Sequence, residues 1–125
     1  MTDAHLDLAV EDGIARLTIR RPARRNAIDA AMIDRLHAMC REIERSPARV
    51  AIVTGEGGQS FSAGGDIDGW SSLDADDFSR RWVRDGHDAF DALARLTVPL
   101  IAVLNGHALG GGLELAACAD LRIAE

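Results

Sequence analysis

Short apolar runs that end in glycine-rich turns, separated by longer amphipathic stretches, restrict this chain to an α/β architecture. Residues 50–54 are bounded by Gly55, Gly57 and Gly58, residues 60–62 lead into Ala63-Gly64-Gly65-Asp66, and residues 100–104 close on Asn105-Gly106. Runs this short read as strands, and the apolar content of residues 50–54 suits a strand covered on both faces in a parallel sheet. Upstream, residues 6–10 and 14–20 read as a hairpin around Glu11-Asp12-Gly13, and residues 120–124 read as a last strand. Ile28, Met32, Ile33, Leu36, Met39, Cys40 and Ile43 recur at helical spacing, which predicts a helix from an Asn26 N-cap to about Arg45. A second helix is expected over roughly residues 76–96, with Phe78, Trp82, Phe90, Leu93 and Leu96 toward the core and Gly86 marking a bend. Gly110-Gly111-Gly112 opens a short helix through Ala119, while residues 68–77 read as a polar loop with Trp70 exposed. The 125 residues allow one domain.

Charge narrows the function. Acidic residues outnumber basic ones 20 to 14, for a formal charge of −6, which argues against nucleic-acid binding. All 14 basic residues are Arg, so neither Schiff-base chemistry nor a phosphate-loop lysine is available. Cys40 and Cys118 are too few for a disulfide framework or a zinc site, and they read as small hydrophobes on helical faces. His5, His37, His87 and His107 lack a paired metal-ligand spacing, and Ser60 and Ser62 lack a nucleophile elbow. The N-terminal stretch is acidic, without the basic-then-apolar pattern of a leader. The longest apolar run, residues 98–104, is too short to span a bilayer. A cytoplasmic protein without membrane contact is expected.

Two glycine-rich turns and one glutamate carry the chemistry. The turns at residues 61–67 and 105–115 match neither a dinucleotide fingerprint nor a phosphate loop. They are either tight connections or places where backbone N–H groups are aimed at a ligand. In the second case Gly110 to Gly112 would put free donors at a helix start, a good place for a developing oxyanion, and the Gly64-Gly65 turn could add another. Glu114 interrupts an otherwise apolar run, where a carboxylate is costly. Held between helix-start donors and apolar neighbours, it would suit a general acid or base; on an amphipathic helix it would simply face solvent. Arg20, Arg21, Arg24 and Arg25 form either a local anion site or a solvated cluster.

The chain resembles the crotonase superfamily, the enoyl-CoA hydratase/isomerase family. The resemblance lies in Arg21-Pro22 through Asn26-Ala27-Ile28, in Phe61-Ser62-Ala63-Gly64-Gly65-Asp66-Ile67, in residues 99–106, and in Ala108-Leu109-Gly110-Gly111-Gly112-Leu113-Glu114-Leu115-Ala116 followed by Cys118-Ala119-Asp120. It implies a spiral of ββα units, truncated before the C-terminal helical part, that binds an acyl-CoA thioester. By resemblance, Gly65 and Gly111 N–H groups form the oxyanion hole, and Glu114 is one of two glutamates handling water and the α-proton. Arg24 or Arg25 would lie near the CoA phosphates and Ala63 and Ile67 would border the adenine, with Ala27 and Asp66 completing the CoA-binding positions. The family needs no cofactor beyond the coenzyme A of its substrate, and it forms homo-oligomers, trimers or hexamers. The second glutamate and the helices that cover the acyl pocket fall beyond Glu125. The expectation is therefore either the N-terminal part of a longer enoyl-CoA hydratase or isomerase, or a non-catalytic CoA-ester-binding or oligomer-forming fragment.

Overall fold

The computed structural model describes residues 5–124. Residues 1–4, part of the N-terminal stretch read above for a leader, and Glu125 lie outside the described residues. Strands β1 (Leu6–Glu11) and β2 (Ile14–Ile19) pair antiparallel from Leu6 opposite Ile19 to Glu11 opposite Ile14. Their two-residue link has φ of 53° at Asp12 and 78° at Gly13. Positive φ at both centres is the turn whose twist matches that of the flanking strands.

The rest of the chain winds in and out of this sheet. β3 (Val50–Gly55) lies parallel beside β2, whereas β4 (Ser60–Ser62) leaves the sheet. β5 (Leu100–Leu104) returns to lie parallel beside β3, and β6 (His107–Ala108) leaves again to pair with β4. β7 (Leu121–Ala124) comes back to the edge beside β5. The outcome is a five-stranded sheet in the order β1-β2-β3-β5-β7 and a separate two-stranded sheet. Each circuit contributes a strand to each sheet and then a helix, the repeated ββα step that the resemblance implied. In β3 only Ala51, Val53 and Gly55 are buried, so the second face is covered in part rather than fully.

The first helix, α1 (Ala30–Arg45), buries Met32, Ile33, Leu36, Met39, Cys40 and Ile43, the stripe that the periodicity predicted. Its N-cap is Asp29, whose side chain accepts from Met32 N at 2.9 Å, not Asn26. Ile28 is buried ahead of the helix, bridged to Gly65. The expected loop at residues 68–77 is largely helical: α2 (Ile67–Ser71) and α3 (Ala75–Phe78) start at Asp66 and Asp74, which cap Gly69 N and Asp77 N. The aspartates that made this stretch look like a loop are its helix starts. Trp70, expected to be exposed, is buried and donates its indole N–H to Ile28 O at 2.8 Å.

α3 continues through a π-helical segment (Ser79–Asp85) into α4 (Gly86–Ala94). The wider turn changes which side chains share a face, so a single helical period misplaced Phe78, which is 37% exposed rather than core. Leu93 is fully buried, while Trp82, Phe90 and Leu96 are packed at the core's margin. α5 (Gly111–Ala117) stops short of Ala119, with half-buried Cys118 as its C-cap. Burial first, then the charge of Glu44 and the Cys118 thiol, push the Cys40 thiol up to about 12, consistent with a packing role.

Candidate active site

Two asparagines, Asn26 buried and Asn105 half-buried, hold the loop beneath the site. Asn26 adopts φ of 57° and accepts from Arg21 N at 2.9 Å, while its amide donates to Glu56 O at 3.1 Å and Ser60 O at 2.8 Å. Asn105 accepts from Gly55 N at 3.0 Å and donates to Gly57 O at 2.8 Å and Ser60 O at 3.0 Å. Asn tolerates the left-handed backbone that this pin requires. A Cβ on Gly55 would fall 2.8 Å from the Asn26 amide nitrogen, so only glycine fits between them.

The first glycine turn is clamped from one side. Ile28 N donates to Gly64 O at 2.7 Å and Asp66 N donates to Ile28 O at 2.8 Å. A parallel bridge of this kind uses the groups flanking Gly65 and turns its own N–H the other way. The Gly65 N–H has no acceptor among the described residues. Fully buried Ser62 fixes the turn further, donating to Asn26 O at 2.8 Å and accepting from Gly64 N at 3.2 Å.

The second turn docks on the first. Leu109 N donates to Ser62 O at 3.0 Å, and a Cβ on Gly64 would meet Leu109 O at 2.9 Å. Gly110, at φ of 52°, offers its carbonyl to Leu113 N and Glu114 N at 3.0 and 3.1 Å. Gly111 begins α5, and its N–H has no acceptor among the described residues. A Cβ added to Gly65 or Gly111 would lie 3.3 or 3.1 Å from the same atom, Cη2 of Trp82. The two unpaired donors thus belong to glycines that share one neighbour.

Glu114 is exposed; of its apolar neighbours, Leu115 and Ala116 are buried whereas Leu113 is 56% exposed. The costly apolar setting expected from sequence is therefore not what surrounds this carboxylate. It lines a cavity of about 210 Å³ with Trp82, Val83, Gly86, His87 and Phe90.

The arginine run divides. Arg21 pairs with Asp66 at 2.8 Å and Asp29 at 3.6 Å, Arg24 pairs with Asp66 at 3.1 Å and Asp68 at 2.6 Å, and Arg20 pairs with Asp7 and Glu56. Arg25 makes no ion pair among the described residues and borders a cavity of about 520 Å³ with Gly58, Gln59, Ser60, Ala63, His107 and Leu109. Burial would raise the Asp66 pKa, but the Arg21 hydrogen bond, the Gly69 N–H and the charges of Arg21 and Arg24 together hold it below the usual value. The Asp66 carboxylate is thereby committed to the fold. Ala27 is buried with its carbonyl bonded to Arg21, Ala63 N donates to Arg25 O at 2.9 Å, and Ile67 is 80% exposed.

Sequence reasoning placed the glycines but missed three roles. Asn26 and Asn105 stood beside turns without any sign that they would pin a loop far along the chain. Trp82 read only as a core residue. No group of three metal-ligating side chains occurs among the described residues, and none of their helices is long and apolar enough to cross a membrane.

Comparison with known proteins identifies the family. The family model for enoyl-CoA hydratase/isomerase matches residues 9–125. A crotonyl-CoA hydratase of Syntrophomonas wolfei is 36% identical over 125 residues, covering 99% of this chain and 48% of the relative. A short-chain-enoyl-CoA hydratase of Clostridium acetobutylicum is 36% identical over 118 residues, covering 94% and 45%. The crystal structure of enoyl-CoA hydratase from Bacillus anthracis superposes with a TM-score of 0.90 at 28% identity, covering 96% of this chain and 47% of that one. The chain belongs to the enoyl-CoA hydratase/isomerase family. It spans about half the length of the curated relatives it matches.

Proposed function

We propose that this chain binds a 2-enoyl-CoA thioester and supports reversible addition of water across its double bond. The observation that carries the proposal is the pair of N–H groups on Gly65 and Gly111 without acceptors among the described residues, beside one indole and next to the cavity lined by Glu114. Two donors converging on the thioester oxygen stabilise the negative charge that forms there. Glu114 accepts a proton from water as the water oxygen bonds to the β-carbon, and the double-bond pair moves onto the thioester oxygen. Returning that proton to the α-carbon collapses the enolate and completes the addition. Isomerisation uses the same enolate, with the proton taken from one carbon and returned to another.

Arg25, without an acidic partner among the described residues and lining a cavity with Ala63, is the arginine we assign to the CoA phosphates. Arg24, paired with two aspartates, is less available. Ala27, Asp66 and Ile67 complete that side of the ligand. The reaction calls for no cofactor beyond the coenzyme A of the substrate, and a cytoplasmic location goes with it. Self-association is part of the proposal, because Leu113, Leu121 and Ile123 expose 56 to 61% of their surface.

The test pairs the mass of the species in solution with crotonyl-CoA hydration and binding on the same sample. Wild-type turnover that drops by about 10²- to 10⁴-fold in Glu114→Gln, with binding retained, is the expected result. Undiminished turnover in Glu114→Gln removes that residue from the mechanism. Ester binding without any wild-type turnover identifies a CoA-ester-binding chain rather than a hydratase.

A further inference from the structure

One side chain neighbours both glycines, and sequence reading assigned it only a packing role. Trp82 sits in the π-helical segment Ser79–Asp85, and its indole edge lies 3.1 to 3.4 Å from where a Cβ on Gly65 or Gly111 would stand. The ring is held from behind by Trp70, with centroids 4.9 Å apart and planes inclined by 54°, and Trp70 is itself anchored to Ile28 O. The same Trp82 lines the cavity of about 210 Å³ that Glu114 borders. A thioester oxygen held by the two N–H groups puts the acyl carbons beside this indole and in front of Glu114. Space there is bounded by a rigid aromatic wall rather than by a flexible side chain.

We propose that Trp82 is the specificity-determining residue for acyl length, closing the acyl end of the site so that short enoyl groups are accepted and long ones excluded. This inference rests on the acyl-CoA reading of the same site. The placement on a π-helical segment is relevant, because such segments recur at functional sites and position a side chain that an uninterrupted helix would aim elsewhere.

The experiment measures binding, which requires no turnover by this chain, using free CoA, crotonyl-CoA and 2-decenoyl-CoA as probes. The wild type is expected to bind crotonyl-CoA at least about tenfold more tightly than 2-decenoyl-CoA, since added methylenes that meet an apolar wall change binding by at least that order. Trp82→Ala is expected to abolish or reverse that preference while leaving affinity for free CoA unchanged. Trp82→Leu, which keeps most of the apolar packing, serves where the alanine variant fails to fold, and it should give a smaller change in the same direction. A wild-type preference that persists unchanged in the folded variants, or no wild-type preference at all, overturns the role of Trp82 and leaves acyl-CoA binding standing. If neither ester binds better than free CoA in any variant, the acyl-CoA reading fails, and the inference fails with it.

Discussion

The floor of the candidate site and its roof are built by different means. The floor is backbone: Gly64, Gly65, Gly111 and Gly112, fixed by the bridge at Ile28, by Ser62 and by the Asn26 pin. The roof is side chain: Trp82, packed on Trp70 and carried by a helix that runs α, π, α. Backbone donors locked from several directions cannot drift without breaking the fold. A stacked indole is a single side chain, held in place by its neighbour, and it can be replaced without moving the backbone.

Substituting the floor should therefore cost most. A Cβ on Gly112 would fall 2.1 Å from Ser62 O and 2.8 Å from its carbonyl carbon. The atoms in the way are backbone of the strand that carries the first glycine turn, so no rotamer change relieves the clash. Gly112→Ala is expected to lower unfolding stability by about 3 kcal/mol or more, at the upper end for overpacking, as read from the urea midpoint. A loss below 1 kcal/mol would mean that the floor yields as readily as the roof.

Asn26→Ala comes next. It removes three hydrogen bonds from a buried position and leaves a residue poorly suited to φ of 57°. Asn105 still reaches Ser60 O, so part of the loop's tether survives. A loss of about 2–3 kcal/mol is expected. Asn105→Ala in the same background should cost more than its effect alone, since the two share Ser60 O; strict additivity would show that the pins act separately.

Acid should act where the Asp66 carboxylate joins the start of α2 to Arg21 and Arg24. The folded pKa of Asp66 lies below its ordinary 3.8. Its contribution is thus complete above the ordinary aspartate range and is lost as the pH falls through that range toward the lower folded value. Asp66→Asn should flatten the pH dependence of stability in that window, measured by thermal unfolding between neutral and strongly acid pH. An unchanged slope would assign the acid sensitivity to other carboxylates.

The same division explains what could be read in the sequence. The hairpin, the buried stripe of α1 and the glycine turns were legible because each is specified locally, by turn chemistry, by period or by a residue that tolerates positive φ. The pins were not: Asn26 bonds to Ser60, and Asn105 to Gly55, across tens of residues, and nothing local distinguishes such an Asn from a helix cap. Trp70 was misread for a related reason. The aspartates around it look like solvent-facing loop residues, yet Asp66 and Asp74 spend their carboxylates on helix starts, and this turns the indole inward. Glu114 shows the limit from the other side. An apolar neighbourhood in sequence is not one in space, because successive helical residues face different ways.

The smallest expected effect tests whether the roof's support is a bond or a packing surface. Trp70→Phe deletes the indole N–H that reaches Ile28 O while keeping an aromatic ring between Phe78 and Trp82. Ile28 O also accepts from Asp66 N at 2.8 Å, so the substitution leaves no orphaned acceptor, only one bond fewer. A loss of about 1 kcal/mol is then expected from the hydrogen bond. Trp82, left as the sole tryptophan, would report directly on its own surroundings by fluorescence. If its emission is that of an indole shielded from water, ring stacking alone supports the roof. If the emission moves to that of a solvated indole, the single bond from Trp70 to Ile28 is what ties the roof to the strand-like segment that clamps Gly65, and floor and roof are one mechanical unit.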